Sequence, residues 1–337
     1  LQENGFTMIS SFKAFVVRED DNGVFSNSIK HRSIDDLPAG ELTIKVSYSS
    51  INYKDALSAS GNKGITKYYP HTPGIDAAGI IMESTSSKFS SGDKVIVTGY
   101  DMGMNTPGGF SECIRVPDKW AVKLPDSISL KESMALGTGG LTAGLCIRLL
   151  QKKNGIKNKK AVVTGATGGV GCLAVKLLSK LEADVTAVTS KKNSSTFLRA
   201  LGANTIITLD ELKEQCRQPL SKGLFDIGVD VVGGEVLSGL LTCLKREGSI
   251  ACCGNVGGVN FETNVFPFIL RGNSLLGVDS AERALEEKQW LWNQFSKEWK
   301  IEDIDQFSRT VSLDDLDFEL KKILQGGQTG RVIVKTI

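Results

Sequence analysis

The run Ala161-Val162-Val163-Thr164-Gly165-Ala166-Thr167-Gly168-Gly169-Val170-Gly171 carries the strongest chemical signal in the chain. A short β-type stretch runs directly into four glycines, and an apolar helical stretch follows. Glycines at such a junction let the backbone turn sharply and approach a diphosphate. The helix start then offers N–H groups without intrahelical partners and the positive end of a dipole. Gly165, Gly168 and Gly171 stand three apart with Gly169 added, so the spacing is not the plain GxGxxG. A tight structural turn is the alternative reading. The strand before and the helix after favour a dinucleotide seat at the helix start, Thr167–Gly171.

The end of the next strand selects the dinucleotide. An NAD site usually places a carboxylate about 20 positions beyond the loop to hold ribose hydroxyls. This sequence reads Thr189-Ser190-Lys191-Lys192 there, with hydroxyls and ammonium groups that suit a 2′-phosphate. Asp184 lies at the wrong end of that strand. NADPH is therefore expected over NADH, a solvated strand exit being the other explanation of the lysines.

Two kinds of nicotinamide enzyme do not fit. A short-chain dehydrogenase needs a Tyr and a Lys downstream of the loop, yet all five tyrosines (Tyr48, Tyr53, Tyr68, Tyr69 and Tyr100) precede it. A zinc alcohol dehydrogenase wants Cys and His ligands across both domains. Before residue 130 there is one cysteine, Cys113, and the only histidines are His31 and His71. No metal site is expected.

The elements that must position these residues fall into two regimes. Before residue 130, short β-type runs (Leu42–Tyr48, Lys94–Thr98, Phe110–Val116 and Ala121–Leu124) alternate with Gly, Pro and Asp turns, as in a partly open barrel. Beyond it come a helical stretch, Ser129–Leu150, and then strand and helix in alternation from Ala161 to about Val278. That order implies a parallel sheet covered on both faces. A helix over Ala281–Trp299 follows, and then a helix at Leu313–Leu324 and a strand at Arg331–Lys335. This last unit has no seat in the parallel sheet, so it is expected to return to the first domain.

At 337 residues, 41% hydrophobic and 23% charged, the chain can bury two domain cores. Forty basic against 38 acidic residues give no reason to expect nucleic acid or a membrane surface as partner. No stretch approaches the roughly 18 uninterrupted apolar residues of a membrane span. Leu1 to Thr7 lack the apolar core of a secretory signal. Met8 is read as the natural start, with residues 1–7 as a cloning remnant. The seven cysteines (Cys113, Cys146, Cys172, Cys216, Cys243, Cys252 and Cys253) are expected as buried, reduced thiols of a cytoplasmic protein.

Ser49-Ser50-Ile51-Asn52-Tyr53-Lys54-Asp55-Ala56-Leu57 and Pro73-Gly74-Ile75-Asp76-Ala77-Ala78-Gly79 resemble the zinc-free, quinone oxidoreductase-like branch of the medium-chain dehydrogenases/reductases. Where zinc enzymes carry a ligand Cys and Gly-His-Glu, this chain has Asn52-Tyr53 and Gly74-Ile75-Asp76. Asp93–Tyr100, Gly108–Glu112, Phe266–Gly272 and Leu276–Ser280 are similar to the acryloyl-CoA reductase subgroup. The resemblance implies a GroES-like β-barrel catalytic domain (residues 8–130, with a return at 291–337) and a Rossmann NADP-binding domain with a doubly wound parallel sheet (131–290). It further implies an active site in the cleft and often a homodimer. Tyr53 would touch the cofactor, Thr167, Gly168, Gly169 and Val170 would hold its diphosphate, and Thr189, Ser190 and Lys191 its 2′-phosphate. Gly254, Asn255 and Ser280 would line the nicotinamide pocket. Relatives often carry Gly where Ser190 stands.

The chemistry so implied is NADPH-dependent reduction of an activated C=C bond, on a short enoyl thioester such as acryloyl-CoA. Negative charge then develops on a carbonyl oxygen and needs donors. Candidates are the Asn52 amide, the Tyr53 hydroxyl and backbone N–H groups, with Tyr53 able to relay the proton. Turn capping by Asn52 and helix capping by Asp55 are the structural alternatives. Asp76 reads as a turn lock and His71 as a loop residue. Lys63 and Lys67 could meet CoA phosphates, and Arg271 a phosphate or a carboxylate. A quinone is the alternative acceptor, and a non-catalytic NADPH-binding redox sensor the alternative of another class.

Overall fold

Alternate residues of neighbouring strands fill one interior: Leu42, Ile44 and Val46, then Ala77 and Ile81, Val95 and Val97, Ile114 and Val116. This is the period-two pattern of a sheet with one buried face. The structure, a computed structural model, describes residues 10–337. The expected start at Met8 and the remnant 1–7 lie outside the described residues. The chain divides into two compact units. One runs to Thr138 and takes in Ala281–Lys297 and Asp303–Ile337; the other is Gly139–Ser280 with Glu298–Glu302.

The first unit holds a seven-stranded sheet. Its order is Ser308–Ser312, Arg331–Lys335, Leu42–Ser50, Asp76–Ser84, Lys94–Thr98, Ala121–Lys123, with Cys113–Val116 also paired to Leu42–Ser50. Ser308–Ser312 and Arg331–Lys335 run parallel; the other pairs are antiparallel. Ser11–Glu19 and Phe25–Ser33 form a separate antiparallel hairpin. A second apolar cluster joins Phe15, Val17, Ile51 and Phe110 to Leu316 and Leu320 of the helix Leu316–Leu324.

The second unit is a six-stranded parallel sheet. Its order is Thr205–Thr208, Asp184–Thr189, Lys160–Val163, Phe225–Asp230, Leu244–Cys252, Ser274–Gly277. Lys160–Val163, the first strand in sequence, lies at the centre beside the fourth. That is the doubly wound order, whose ligand crevice opens where the winding reverses. Val162, Val188 and Ile250 pack under Leu237, Leu240 and Leu241 of the helix Gly234–Thr242.

Two expectations need correction. The thiols are not all reduced, because Cys216 and Cys243 form a disulfide with Cα atoms 5.5 Å apart. The helices Leu209–Gln215 and Gly234–Thr242 end side by side, a proximity that spacing along the sequence does not reveal. The expected helix over Ala281–Trp299 is shorter, Leu285–Phe295.

The stretch Leu130–Asn154 is helical but broken at Gly137, where φ is +50°. By length and composition it could cross a membrane, but 83% of its apolar window is buried inside the fold. It is a core helix.

Candidate functional site

In the second unit, the glycine loop leaves the strand Lys160–Val163 at the point where the sheet's winding reverses. A Cβ at Gly171 would stand 2.2 Å from the Gly165 carbonyl oxygen, so only glycine lets the helix start press so closely on the loop. The helix Gly169–Lys180 begins behind Gly168, which brings no capping side chain. Its first N–H groups have no acceptor within the helix. A twelve-residue helix, an uncapped start and a turn this tight fit a dinucleotide diphosphate. Gly168, Gly169 and Val170 lie there half-buried, and Thr167 is buried beside Thr189.

The other candidate cofactor residues lie beyond the carboxyl ends of neighbouring strands. Thr189 ends its strand, and its hydroxyl accepts the Lys191 N–H at 3.1 Å. The Ser194 hydroxyl donates to the Lys191 carbonyl at 2.9 Å. These bonds fold the strand exit into a tight turn, with Ser190 exposed. Asp184 opens the same strand at its far end. Gly254 and exposed Asn255 follow Leu244–Cys252. Ser280 follows Ser274–Gly277, and its hydroxyl accepts from Thr142 at 2.7 Å. Four segments distant in sequence thus lie beyond the carboxyl ends of strands of one sheet.

Sequence reasoning missed Asp230, which closes the strand Phe225–Asp230 beside the loop. Its buried carboxylate accepts from the Thr164 hydroxyl at 2.6 Å and the Gly233 N–H at 2.8 Å. Burial raises its pKa, opposed by those donors. The signal was present: an Asp at a strand end before Val231-Val232-Gly233-Gly234, all short or apolar neighbours.

In the first unit, half-buried Tyr53 opens the helix Tyr53–Ala59 and Asn52 is its N-cap. The Asn52 amide is engaged at both ends. Its Nδ2 donates to Asp76 at 2.8 Å, and its Oδ1 accepts from Arg331 at 3.4 Å. Asp76, fully buried, also accepts from the Ser50 hydroxyl at 2.6 Å and the Thr138 hydroxyl at 2.6 Å. Asp55 is the third residue of the helix rather than its cap. Its carboxylate accepts the N–H groups of Asn52 and Ile75, each at 2.8 Å. Burial, with the charge of Asp76 second, pushes its pKa up to about 7 against those two bonds.

Arg271 and Lys63 are engaged within the protein. Arg271 donates to the backbone carbonyls of Thr242, Leu244 and Ser221. Lys63 pairs with Glu19 and lies over the Phe25 and Tyr69 rings. His71 is buried, and burial lowers its pKa. Among the described residues no group of three or more His, Cys, Asp or Glu side chains could hold a metal ion.

Comparison with known proteins decides the family. Residues 38–126 match the alcohol dehydrogenase GroES-like domain, and residues 169–297 the family described as zinc-binding dehydrogenase. YhfP of Bacillus subtilis (strain 168), named provisionally as a quinone oxidoreductase, is 40% identical over 97% of this chain and 100% of its own length. The chain belongs to the zinc-free medium-chain dehydrogenases/reductases. Within that family it falls in the quinone oxidoreductase-like branch with the acryloyl-CoA reductases. The acrylyl-CoA reductase AcuI of Ruegeria pomeroyi is 36% identical over 96% of this chain and 98% of its own. The yhdH oxidoreductase of Salmonella enterica, solved in complex with NADP, superposes with a TM-score of 0.92. It is 37% identical, covering 96% of this chain and 100% of that one. A structure of B. subtilis yhfP has NAD bound and a TM-score of 0.93, at 39% identity over 97% and 100% of the chains. The GroES-like barrel and the Rossmann-type sheet are thus the family's two domains, and the protein is an oxidoreductase.

Proposed function

We propose that the protein reduces the activated C=C bond of a short enoyl thioester, such as acryloyl-CoA, with NADPH. The observation that carries the reading is the uncapped helix start at the reversal of the parallel sheet, with no carboxylate at the end of the strand Asp184–Thr189. Thr167, Gly168, Gly169 and Val170 hold the diphosphate through backbone N–H groups. Thr189, Ser190 and Lys191 take the 2′-phosphate, and Gly254, Asn255 and Ser280 border the nicotinamide. The name of the AcuI relative supports the thioester.

When bound at this seat, NADPH would supply a hydride for the carbon β to the carbonyl. The electrons of the C=C bond shift toward the carbonyl oxygen, and a proton then adds at the α-carbon. Tyr53 donates a hydrogen bond to that oxygen and relays the proton. Asn52 contributes by setting the turn that carries Tyr53.

A quinone acceptor is the second reading, favoured by the name of the YhfP relative. The reading also includes a cytoplasmic homodimer. Ser274–Gly277 ends the six-stranded sheet, and Phe266, Ile269 and Leu270 nearby in sequence are exposed.

The test is a panel of acryloyl-CoA, crotonyl-CoA, simple enones and quinones, each with NADPH and with NADH. Fastest NADPH consumption with an enoyl-CoA supports the proposal, and fastest turnover of a quinone replaces it with the second reading. Saturable binding of NADPH without consumption on any acceptor makes the protein a redox sensor.

A further inference from the structure

Two opposite charges are buried in the first unit beneath the turn that carries Tyr53. Asp76 is fully buried and Arg331 is 2% exposed. Ser50 bridges them, its hydroxyl donating to Asp76 at 2.6 Å and accepting from Arg331 at 2.9 Å. Asn52 bridges them a second time with the two ends of its amide. Arg331 is further fixed by donating to the Ala135 carbonyl at 2.8 Å. Asp76 also receives the N–H and hydroxyl of Thr138, just past the break at Gly137. A Cβ at Gly137 would come within 2.5 Å of the Asp76 carboxylate, so the break itself makes room for the charge.

Opposite charges buried in one network do little for stability against an apolar replacement, whereas losing one strands the other. What such a network supplies is a single geometry. The residue it grips from both sides, Asn52, immediately precedes Tyr53. Its amide hydrogens are directed to Asp76 and to the Ser50 carbonyl, at 2.8 and 3.3 Å.

We propose that Asp76 and Arg331 are positioning residues that act on Tyr53 through Asn52. Neither is a group that meets substrate. This rests on the reading of Tyr53 as a catalytic residue. Asp76 fixes the orientation of the Asn52 amide; Asn52 and Asp55 fix the turn; the turn aims the Tyr53 ring.

The experiment uses the panel substrate turned over fastest and the full chain. Asp76→Asn keeps the volume but points an NH2 at a site of donors. It is expected to lower kcat about 100-fold, the loss that a misplacement of about 1 Å produces. KM for substrate and the Kd of NADPH should move less than about threefold. Ser50→Ala keeps both charges and removes one bridge, so it stays testable should Asp76→Asn not fold; kcat should fall about tenfold. The double variants with Tyr53→Phe decide the coupling. Loss in Asp76→Asn/Tyr53→Phe, or in Ser50→Ala/Tyr53→Phe, no greater than in the worse single supports the proposal. Multiplying losses overturn it, as does an unchanged kcat in Ser50→Ala. Full activity of Tyr53→Phe alone removes the catalytic reading of Tyr53 instead, a result distinct from multiplying losses.

Discussion

Thr164 donates a 2.6 Å hydrogen bond from its hydroxyl to the buried carboxylate of Asp230. The same hydroxyl accepts the Val231 N–H at 3.1 Å, so one side chain ties the start of the glycine loop to the exit of the adjacent strand. Asp230 in turn accepts from Gly233. The base of the glycine loop is thereby held by a side-chain bond to the neighbouring strand. Thr164→Val removes the donor at nearly constant volume and leaves a buried carboxylate short of a partner. Binding of NADPH, followed by fluorescence titration, should weaken about tenfold, at a cost of roughly 1–2 kcal/mol. Turnover at saturating NADPH should change little. An unchanged Kd would show that the loop keeps its shape without this bond.

Lys191 sits in the turn after Thr189, held there by its own backbone N–H and carbonyl. If its ammonium meets the 2′-phosphate, Lys191→Ala removes a charge-assisted contact worth about 2 kcal/mol, roughly 30-fold in Kd for NADPH. Binding of NADH should be unaltered, and the salt dependence of NADPH binding should flatten. Equal weakening toward both nucleotides would remove Lys191 from cofactor selection.

The disulfide Cys216–Cys243 closes a span of 27 residues. Chain entropy assigns such a loop about 3.5 kcal/mol of constraint on the unfolded state. Both cysteines precede the strands Phe225–Asp230 and Leu244–Cys252, at the edge of the sheet opposite the glycine loop. Dithiothreitol should lower the urea midpoint while leaving NADPH affinity intact. In Cys216→Ser the midpoint should already be low and indifferent to reductant. A midpoint insensitive to reductant in the unaltered chain would mean that the pair contributes nothing.

What could be read from the sequence was what depends on local order. The glycine loop lies between a strand and a helix, and the strand–helix alternation after residue 130 yields the parallel sheet, because both signals are carried by neighbours in sequence. Bonds between remote segments were not legible. Asp76 and Arg331 are joined through Ser50, yet nothing at any one position announces the network. The hairpin strand Phe25–Ser33 escaped because Ser26, Asn27, Lys30 and Arg32 break any apolar alternation. Asp76–Ser84 escaped because Ala77-Ala78-Gly79 lacks the β-branched side chains that signal a strand. Tyr53–Ala59, at seven residues, is too short for a helical period to stand out. Cys216 and Cys243 meet only because two helices end together.

Asp55 makes stability depend on pH in a direction opposite to most carboxylates. In the fold its pKa rises from 3.8 to about 7, through burial first and the charge of Asp76 second. The unfolded chain releases this proton near its ordinary value. Between about pH 4 and 7 the native state therefore holds a proton that the unfolded state has lost, and raising the pH through that window costs stability. The full change corresponds to about 4 kcal/mol, complete above pH 7 and absent below pH 4. Carboxylates with lowered pKa act in the other sense. Asp93, bonded to the Ser90 N–H, Asp315, to the Ser312 N–H, and Asp317, to Lys321, lose their contribution as the pH falls. Comparison with Asp55→Asn cancels these common terms. The urea-derived stability of the unaltered chain minus that of the variant should decline from pH 4 to 7 and then level off. If the two profiles run parallel through that window, Asp55 is ionised in the native state throughout, and the N–H groups of Asn52 and Ile75 outweigh its burial.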